Sequence, residues 1–320
     1  MKTYTLISFL LLFQMATGQS RFHQRTLLID THNDFISVSL SNKLAFDTDL
    51  SGRTHSDLQR MKKGGVDAQF FSIFGGPDIG FAHAMQEIDS VYAIVNRNPS
   101  TISLVKTPLE LSKAVKEKKL AAMMGVEGGH MIDNDLEKLD TLFQRGVRYM
   151  TLTWNNSTPW ASSAAEETSN KIPKEKRGLT DFGKQIVQKM NQLGMMVDLS
   201  HVGEQTFWDA MKIVNKPVLV SHSSVYHFSG FLDSTFDKKS ARPPLSLLID
   251  HIDYIVHRIG IDHVGLGSDF DGISSTPMQL DGVQDFPNLT TALLERGYSK
   301  KDIRKILGKN VMRVFSENMD

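Results

Sequence analysis

The sequence has 320 residues, 40% of them apolar and 22% charged, which is ordinary for a globular protein and enough for a sizeable core. Lys and Arg together number 36, and so do Asp and Glu; with no basic stripe and no acidic tail, no nucleic-acid partner is expected. There is no cysteine, which excludes disulfides, thiolate metal sites and a lipid-bearing cysteine, so any metal must be held by His and carboxylate.

In chain order, Lys2, the apolar run Leu6 to Phe13 and the small residues Ala16-Thr17-Gly18 read as a signal peptide over residues 1–18, with a mature start near Gln19. Export to a periplasm or the extracellular space is the expectation, and no run is long enough to span a bilayer. Residues 19–320 then read as one domain in which short apolar runs recur. They are Leu27-Leu28-Ile29, Ala68 to Phe74, Ala121 to Val126, Tyr149 to Thr153, Met195 to Leu199, Val218 to Val220, and Val264 to Leu266. Continuous runs of this length suit strands buried on both faces of a parallel sheet. Between them, helical spacing predicts helices over Phe81 to Asn96, Thr107 to Lys118, Leu179 to Leu193, Leu245 to Ile259 and Ser299 to Phe315, the last with a Ser299/Asp302 capping signal. Strands alternating with helices predict an α/β fold, in particular a (β/α)8 TIM-type barrel. Seven runs are one short of eight. No clean strand stands out between Val220 and Val264, so the barrel is expected to be incomplete in its seventh-strand region.

The polar residues that end these runs carry the chemistry. The first run ends in Asp30-Thr31-His32-Asn33-Asp34, the third in Glu127-Gly128-Gly129-His130, the fifth in Ser200-His201, the sixth in Ser221-His222, and the last in Ser268-Asp269-Phe270-Asp271. In parallel α/β folds the carboxyl ends of the strands share one mouth, where active sites are built. A single His after a strand is more often a core or capping residue, but five runs delivering His, Asp or Glu to one mouth form a site. Imidazole and carboxylate are the ligands zinc takes when thiolate is absent. His32 and Asp34, two apart on an extended segment, could reach one ion. His201 and His222 could hold a second, the two oxygens of Glu127 could bridge both, and Asp269 could take and return a proton. His130 reads as supporting rather than ligating; His23, His55, His83 and the remaining histidines follow no such pattern.

These segments resemble the membrane (renal) dipeptidase family of metal-dependent amidohydrolases. Ile29 to Asp34 is similar to the family's opening metal motif, Val126 to His130 to its bridging-glutamate motif, and Tyr149 to Ala161 to its fourth-strand motif. Val197 to His201, Val220 to Ser224 and Val264 to Gly272 match the remaining motifs in order, and Gly308 to Val314 resembles its C-terminal helix. The resemblance runs from Leu27 to Phe315. It implies two zinc ions, one on His32 and Asp34, the other on His201 and His222, with Glu127 bridging and Asp269 as acid/base. It also implies hydrolysis of small dipeptides, often with a D-residue tolerated at the C-terminal side, through attack of a metal-bridging hydroxide on the scissile carbonyl. It hints at a homodimer.

Two departures bear on substrate contacts. Trp154 stands where many relatives carry a His that helps hold the reacting carbonyl; it is expected to bind substrate, as an N–H donor or as a pocket wall. Asn155 or Asn156 could take over the polar role. The stretch after Ser224 is also short, and a loop with a substrate-binding Arg, a helix and the seventh strand have no counterpart before Arg242. Strands six and eight would then expose unpaired edges. The expected function is a zinc dipeptidase; the alternatives are a metal-dependent hydrolase of another small amide or lactam, and a catalytically degenerate family member.

Overall fold

The computed structural model describes residues 19–223 and 242–320. The expected signal peptide and the stretch expected to lack the seventh strand, Ser229 to Thr235 within it, lie outside the described residues. Six strands form one parallel sheet: β1 (Ile29–Asp30), β2 (Ala68–Phe74), β3 (Ile102–Leu104), β4 (Leu120–Glu127), β5 (Val147–Thr151) and β6 (Met196–Asp198). Their order is β1-β2-β4-β5-β6, with β3 paired to the start of β4. Every residue of β4 is buried, as expected of a strand covered on both faces. Its alternating side chains serve two cores. Ala122, Met124 and Val126 pack towards the helices. Ala121 and Met123 join Ile29, Ala68, Phe70, Tyr149, Met196 and Leu219 in a second cluster inside the curl, together with Val311 and Phe315 of the C-terminal helix.

The sixth and last apolar runs extend this sheet by single parallel bridges, Leu219 to Asp198 and Leu266 to Asp30. All seven expected runs therefore stand side by side, from Leu219 through β6, β5, β4, β2 and β1 to Leu266. Among the described residues no backbone ladder joins the two ends, so the barrel is curled but not closed, as the missing strand predicts. The ends do approach one another at the carboxyl side. The Thr31 hydroxyl reaches both the Ser221 carbonyl at 2.6 Å and the Leu266 carbonyl at 2.8 Å. Gly267 lies so close that a Cβ there would stand 1.7 Å from the Ser221 oxygen. The last strand has no side chain at that point because the Ser221 carbonyl occupies its place.

Helices cover the outside. α1 (Phe35–Asn42), α2 (Leu58–Gly64), α3 (Phe81–Arg97), α4 (Pro108–Lys116), α5 (Leu136–Arg145), α6 (Asp181–Leu193), α7 (Glu204–Met211), α8 (Leu245–Ile259) and α9 (Phe286–Glu295) are the principal ones. Their boundaries follow the sequence signals. Thr107 and Glu110 form a reciprocal capping box on α4, and the Thr180 hydroxyl caps α6. The helix expected over Ser299 to Phe315 starts at its Ser299 cap but passes through a π turn, Lys305–Lys309, and ends at Met319. That turn presses Gly308 on the Leu27 carbonyl, 2.6 Å from where a Cβ would be, so the widened turn seats the helix against the first strand. The three-residue β3 was not expected; it is too short to show a period. Among the described residues, no helix is long and apolar enough to cross a membrane.

Candidate metal centre

Glu127 is the last residue of β4, the other predicted ligands follow β1, β6 or the two bridged runs, and the structure brings all of them together. His32 Nε2 lies 3.5 Å from Asp34 Oδ2, 3.3 Å from Glu127 Oε2 and 4.0 Å from Asp269 Oδ1. The other Glu127 oxygen, Oε1, lies 3.0 Å from His201 Nε2 and 3.6 Å from His222 Nε2. Two clusters result, His32 with Glu127 and His222, and His32 with Asp34 and Asp269. Glu127 thus turns one oxygen to His32 and the other to the His201–His222 pair. Asp34 precedes α1, yet its side chain makes no capping hydrogen bond, and its carboxylate is left for the centre. Asp269 and His201 hold left-handed backbone conformations, with φ of 54° and 62°. Such conformations cost of order 1–3 kcal/mol in residues other than glycine and are kept where the surrounding structure over-determines them.

Two buried carboxylates buckle these strand ends together. Asp30 accepts from the Ser268 backbone N–H at 2.8 Å and the Ser268 hydroxyl at 2.6 Å, tying the His32 segment to the Asp269 turn. Asp198 accepts from Ser200, Ser221 and Thr151, tying the His201 segment to His222. Neither residue stood out as functional in the sequence. Their position two or three residues before a ligand is the only signal there, and it becomes legible only when the partner strand is known.

The electrostatics are those of a cation site. Burial pushes the Glu127 carboxyl up, but the neighbouring imidazoles of His32, His201 and His222 outweigh it and hold the group well below the usual range. Burial depresses His32, and Tyr149, Asp34 and Glu127 more than offset it, so the ring is held well above its usual range. His222 is pulled down to about 4, by burial and then by His32. Asp269 is pushed up to about 8, chiefly by burial, with Asp34 and Glu127 adding to it and His32 opposing.

Of the other candidates, His130 turns its Nε2 to the Gly75 carbonyl at 3.0 Å and belongs to neither ligand cluster. Trp154 is half-buried, packs against Phe74 with the rings tilted and 5.1 Å between centroids, and its Cβ lies 3.4 Å from where a Gly128 Cβ would be. It walls the mouth beside Glu127. Asn155 has a task the sequence left open, with Oδ1 at 3.2 Å from His201 Nδ1. His55 stood outside the pattern, yet its backbone N–H and ring both contact Asp271, which steadies the turn after Asp269. A cavity of about 650 Å³ opens behind that turn, lined among others by Arg53, His55, Arg60, Lys63 and Asp271; none of its lining residues is a predicted ligand.

Whether metal ions fit can be judged from the unpaired atoms. His32 Nε2 and Asp34 Oδ1 are buried without a hydrogen-bond partner, and His201 Nε2 faces His222 Nε2 at 2.8 Å. Buried polar atoms are almost always paired; two of the unpaired ones among the described residues lie side by side at this centre, and a cation would satisfy them. The donor set of imidazole nitrogens and carboxylate oxygens suits a divalent ion such as zinc. A curled parallel sheet with two ligand clusters at its carboxyl end defines a metal-dependent hydrolase with a binuclear site.

The chain belongs to the membrane dipeptidase family, peptidase family M19, which matches residues 17–231 and 225–320. The two matched stretches meet at 225–231, where the seventh-strand region falls short. Solved structures share the fold. The probable dipeptidase PvdM from Pseudomonas aeruginosa superimposes with a TM-score of 0.84 at 20% identity, over 95% of this chain and 98% of that one. A metallo peptidase from Rhodobacter sphaeroides, liganded with a phosphinate mimic of the dipeptide L-Ala-D-Ala, gives 0.79 at 23% identity, over 92% and 99%. Dipeptidase AC, a metallo peptidase, gives 0.81 at 24% identity, over 92% and 99%.

Proposed function

We propose that the protein is an exported dipeptidase that holds two zinc ions, one at His32 and Asp34, the other at His201 and His222, with Glu127 between them. The observation that carries this reading is the division of the Glu127 oxygens between the two sets of imidazoles. A bound pair of divalent ions supplies a Lewis acid for the scissile carbonyl and lowers the pKa of water to make a nucleophile.

The chain's own residues do the rest. Glu127 sets the spacing of the two ligand groups. Asp269 stands at the rim of the His32 cluster, partly exposed, where a dipeptide's amide can reach it. A carboxylate within 4.0 Å of His32 Nε2 and open to the mouth is placed to take and return a proton. It delivers that proton to the leaving amine nitrogen. Trp154 and Phe74 form an aromatic wall at the Glu127 side of the mouth and exclude water from the reacting bond.

The test is metal content of the purified mature protein together with hydrolysis of L-Ala-D-Ala with and without chelator. About two zinc ions per chain, the number a two-metal site needs, with turnover that chelation abolishes, is the expected result. A protein that binds two ions but prefers the C-terminal amide of the dipeptide would be a hydrolase of another amide. No metal and no turnover would leave a degenerate family member. N-terminal sequencing of the exported protein, expected to begin near Gln19, checks the export.

A further inference from the structure

The hydrogen bonds behind the ligands decide which ring nitrogen of each histidine faces the ions. Tyr149 Oη has a single proton. It lies 3.0 Å from the Thr31 carbonyl oxygen, which can only accept, so Oη donates there. Its 2.8 Å contact with His32 Nδ1 is then made by a proton on Nδ1, because the phenol has none left to give.

The same logic applies to His222 with different residues. Ser221 Oγ lies 2.7 Å from Asp198 Oδ2, a carboxylate that only accepts, so the hydroxyl donates to it. Its 3.0 Å contact with His222 Nδ1 again requires the proton on Nδ1. Ser200 cannot upset this assignment, since its own hydroxyl donates to Asp198 Oδ1 at 3.0 Å. At His201, Nδ1 faces the Asn155 side-chain oxygen. With Nδ1 carrying hydrogen, a neutral ring presents its Nε2 lone pair to the centre, where His32 Nε2 is buried without a partner and His222 Nε2 faces His201 Nε2 at 2.8 Å.

We propose that Tyr149 and Ser221 are positioning residues for the metal centre, fixing His32 and His222 as Nδ1–H tautomers whose Nε2 atoms bind the ions. Two different hydroxyls, each anchored by an acceptor, perform one task. The site for Tyr149 is built into the sheet. Gly125 on the neighbouring strand leaves the space for the ring, and a Cβ there would stand 1.9 Å from Tyr149 Cζ. A carbonyl or carboxylate behind a hydroxyl behind an imidazole orients the ring and raises its basicity as a ligand.

This assignment rests on the two-metal reading, and the experiment separates the two. Zinc affinity is measured by competition with a chromophoric chelator for wild type, Tyr149→Phe, Ser221→Ala and Ser221→Thr. In parallel, histidine-labelled, zinc-loaded protein gives the ring N–H signals. The expected result is a zinc affinity lowered roughly 10–100-fold in Tyr149→Phe and Ser221→Ala, with Ser221→Thr restoring it. Slowly exchanging Nδ1–H signals should be present for His32 and His222 in wild type. Tyr149→Phe should lose protection only at His32, and Ser221→Ala only at His222. A general loosening of the fold would affect both rings together. A wild type that takes up two ions, yet shows Nε2–H at either ring or keeps its affinity in both variants, overturns the assignment alone. A wild type that takes up no zinc overturns the proposed function, and the assignment with it.

Discussion

Asp269 shows how one residue's surroundings set its chemistry. It shares the centre with Asp34 and Glu127, but it alone combines a carboxyl pushed up to about 8 with a side chain that is 30% exposed. Glu127 is held ionised by its imidazoles, whereas Asp269 can hold a proton and reach a bound amide. Asp269→Asn keeps the shape and removes the proton carrier. Turnover of L-Ala-D-Ala is expected to fall about 10²–10⁴-fold, the usual contribution of general acid–base catalysis. The Michaelis constant should move far less, and steady-state kinetics separates the two. If Asp269 served only to bind substrate, the loss would appear in the Michaelis constant instead. The clustering of these residues was legible in the sequence because each follows an apolar run directly, and strand ends in a parallel sheet share a mouth. The atoms that orient them were not. Tyr149 lies 117 residues from His32 in the chain, and a tyrosine inside a β-branched and aromatic run reads as core. Only the curl of the sheet brings its hydroxyl under the imidazole.

At the scale of elements, two contacts carry more than their size suggests. Glu87 on α3 is fully buried and accepts from the Phe74 backbone N–H at the end of β2. Burial pushes it up to about 9 from an ordinary 4.5, with Asp34 and Glu127 adding to the effect and the Phe74 N–H opposing it. The folded state therefore binds this proton more tightly than the unfolded chain. The resulting stability is fully present below pH 4.5 and is lost as pH rises towards 9, at most about 1.4 kcal/mol per pH unit. Glu87→Gln is neutral at every pH and keeps an acceptor for Phe74. In thermal melts of chelated protein the variant should match wild type near pH 4.5 and melt higher near pH 8. Identical melting curves at both pH values would mean that Glu87 is ionised in the fold.

Thr31 is the second contact. Its hydroxyl spans the two sheet ends at Ser221 and Leu266, where the expected exposed edges turn out to touch. Thr31→Val removes the donor and leaves the Ser221 carbonyl short of a partner in a buried place, which costs roughly 1–3 kcal/mol. Urea unfolding reads that loss directly. The seventh-strand shortfall was legible as a count of runs. The contact that joins the flanking runs was not, because it depends on one hydroxyl and on the bare Cα of Gly267.

For the whole molecule, the candidate metal centre lies where the described part of the sheet has no ladder to hold its two ends together. Five strand ends converge on it, from the first run at His32 to the last at Asp269, and the sheet itself closes by no ladder among the described residues. The same convergence places Asp34 and Asp269 beside one another around His32, and a cation there would offset their repulsion. Ions that bind the folded but not the unfolded chain stabilise it by mass action, about 2.7 kcal/mol at a hundred times the dissociation constant. For a protein of this size that is a rise in melting temperature of about 4 °C. Calorimetry with zinc and with excess chelator should show this difference in wild type. It should shrink in Glu127→Gln, whose neutral amide cannot bridge two cations as the carboxylate does. An equal difference in both proteins would place the stabilising ions elsewhere and break the link between the binuclear site and the closure of the fold.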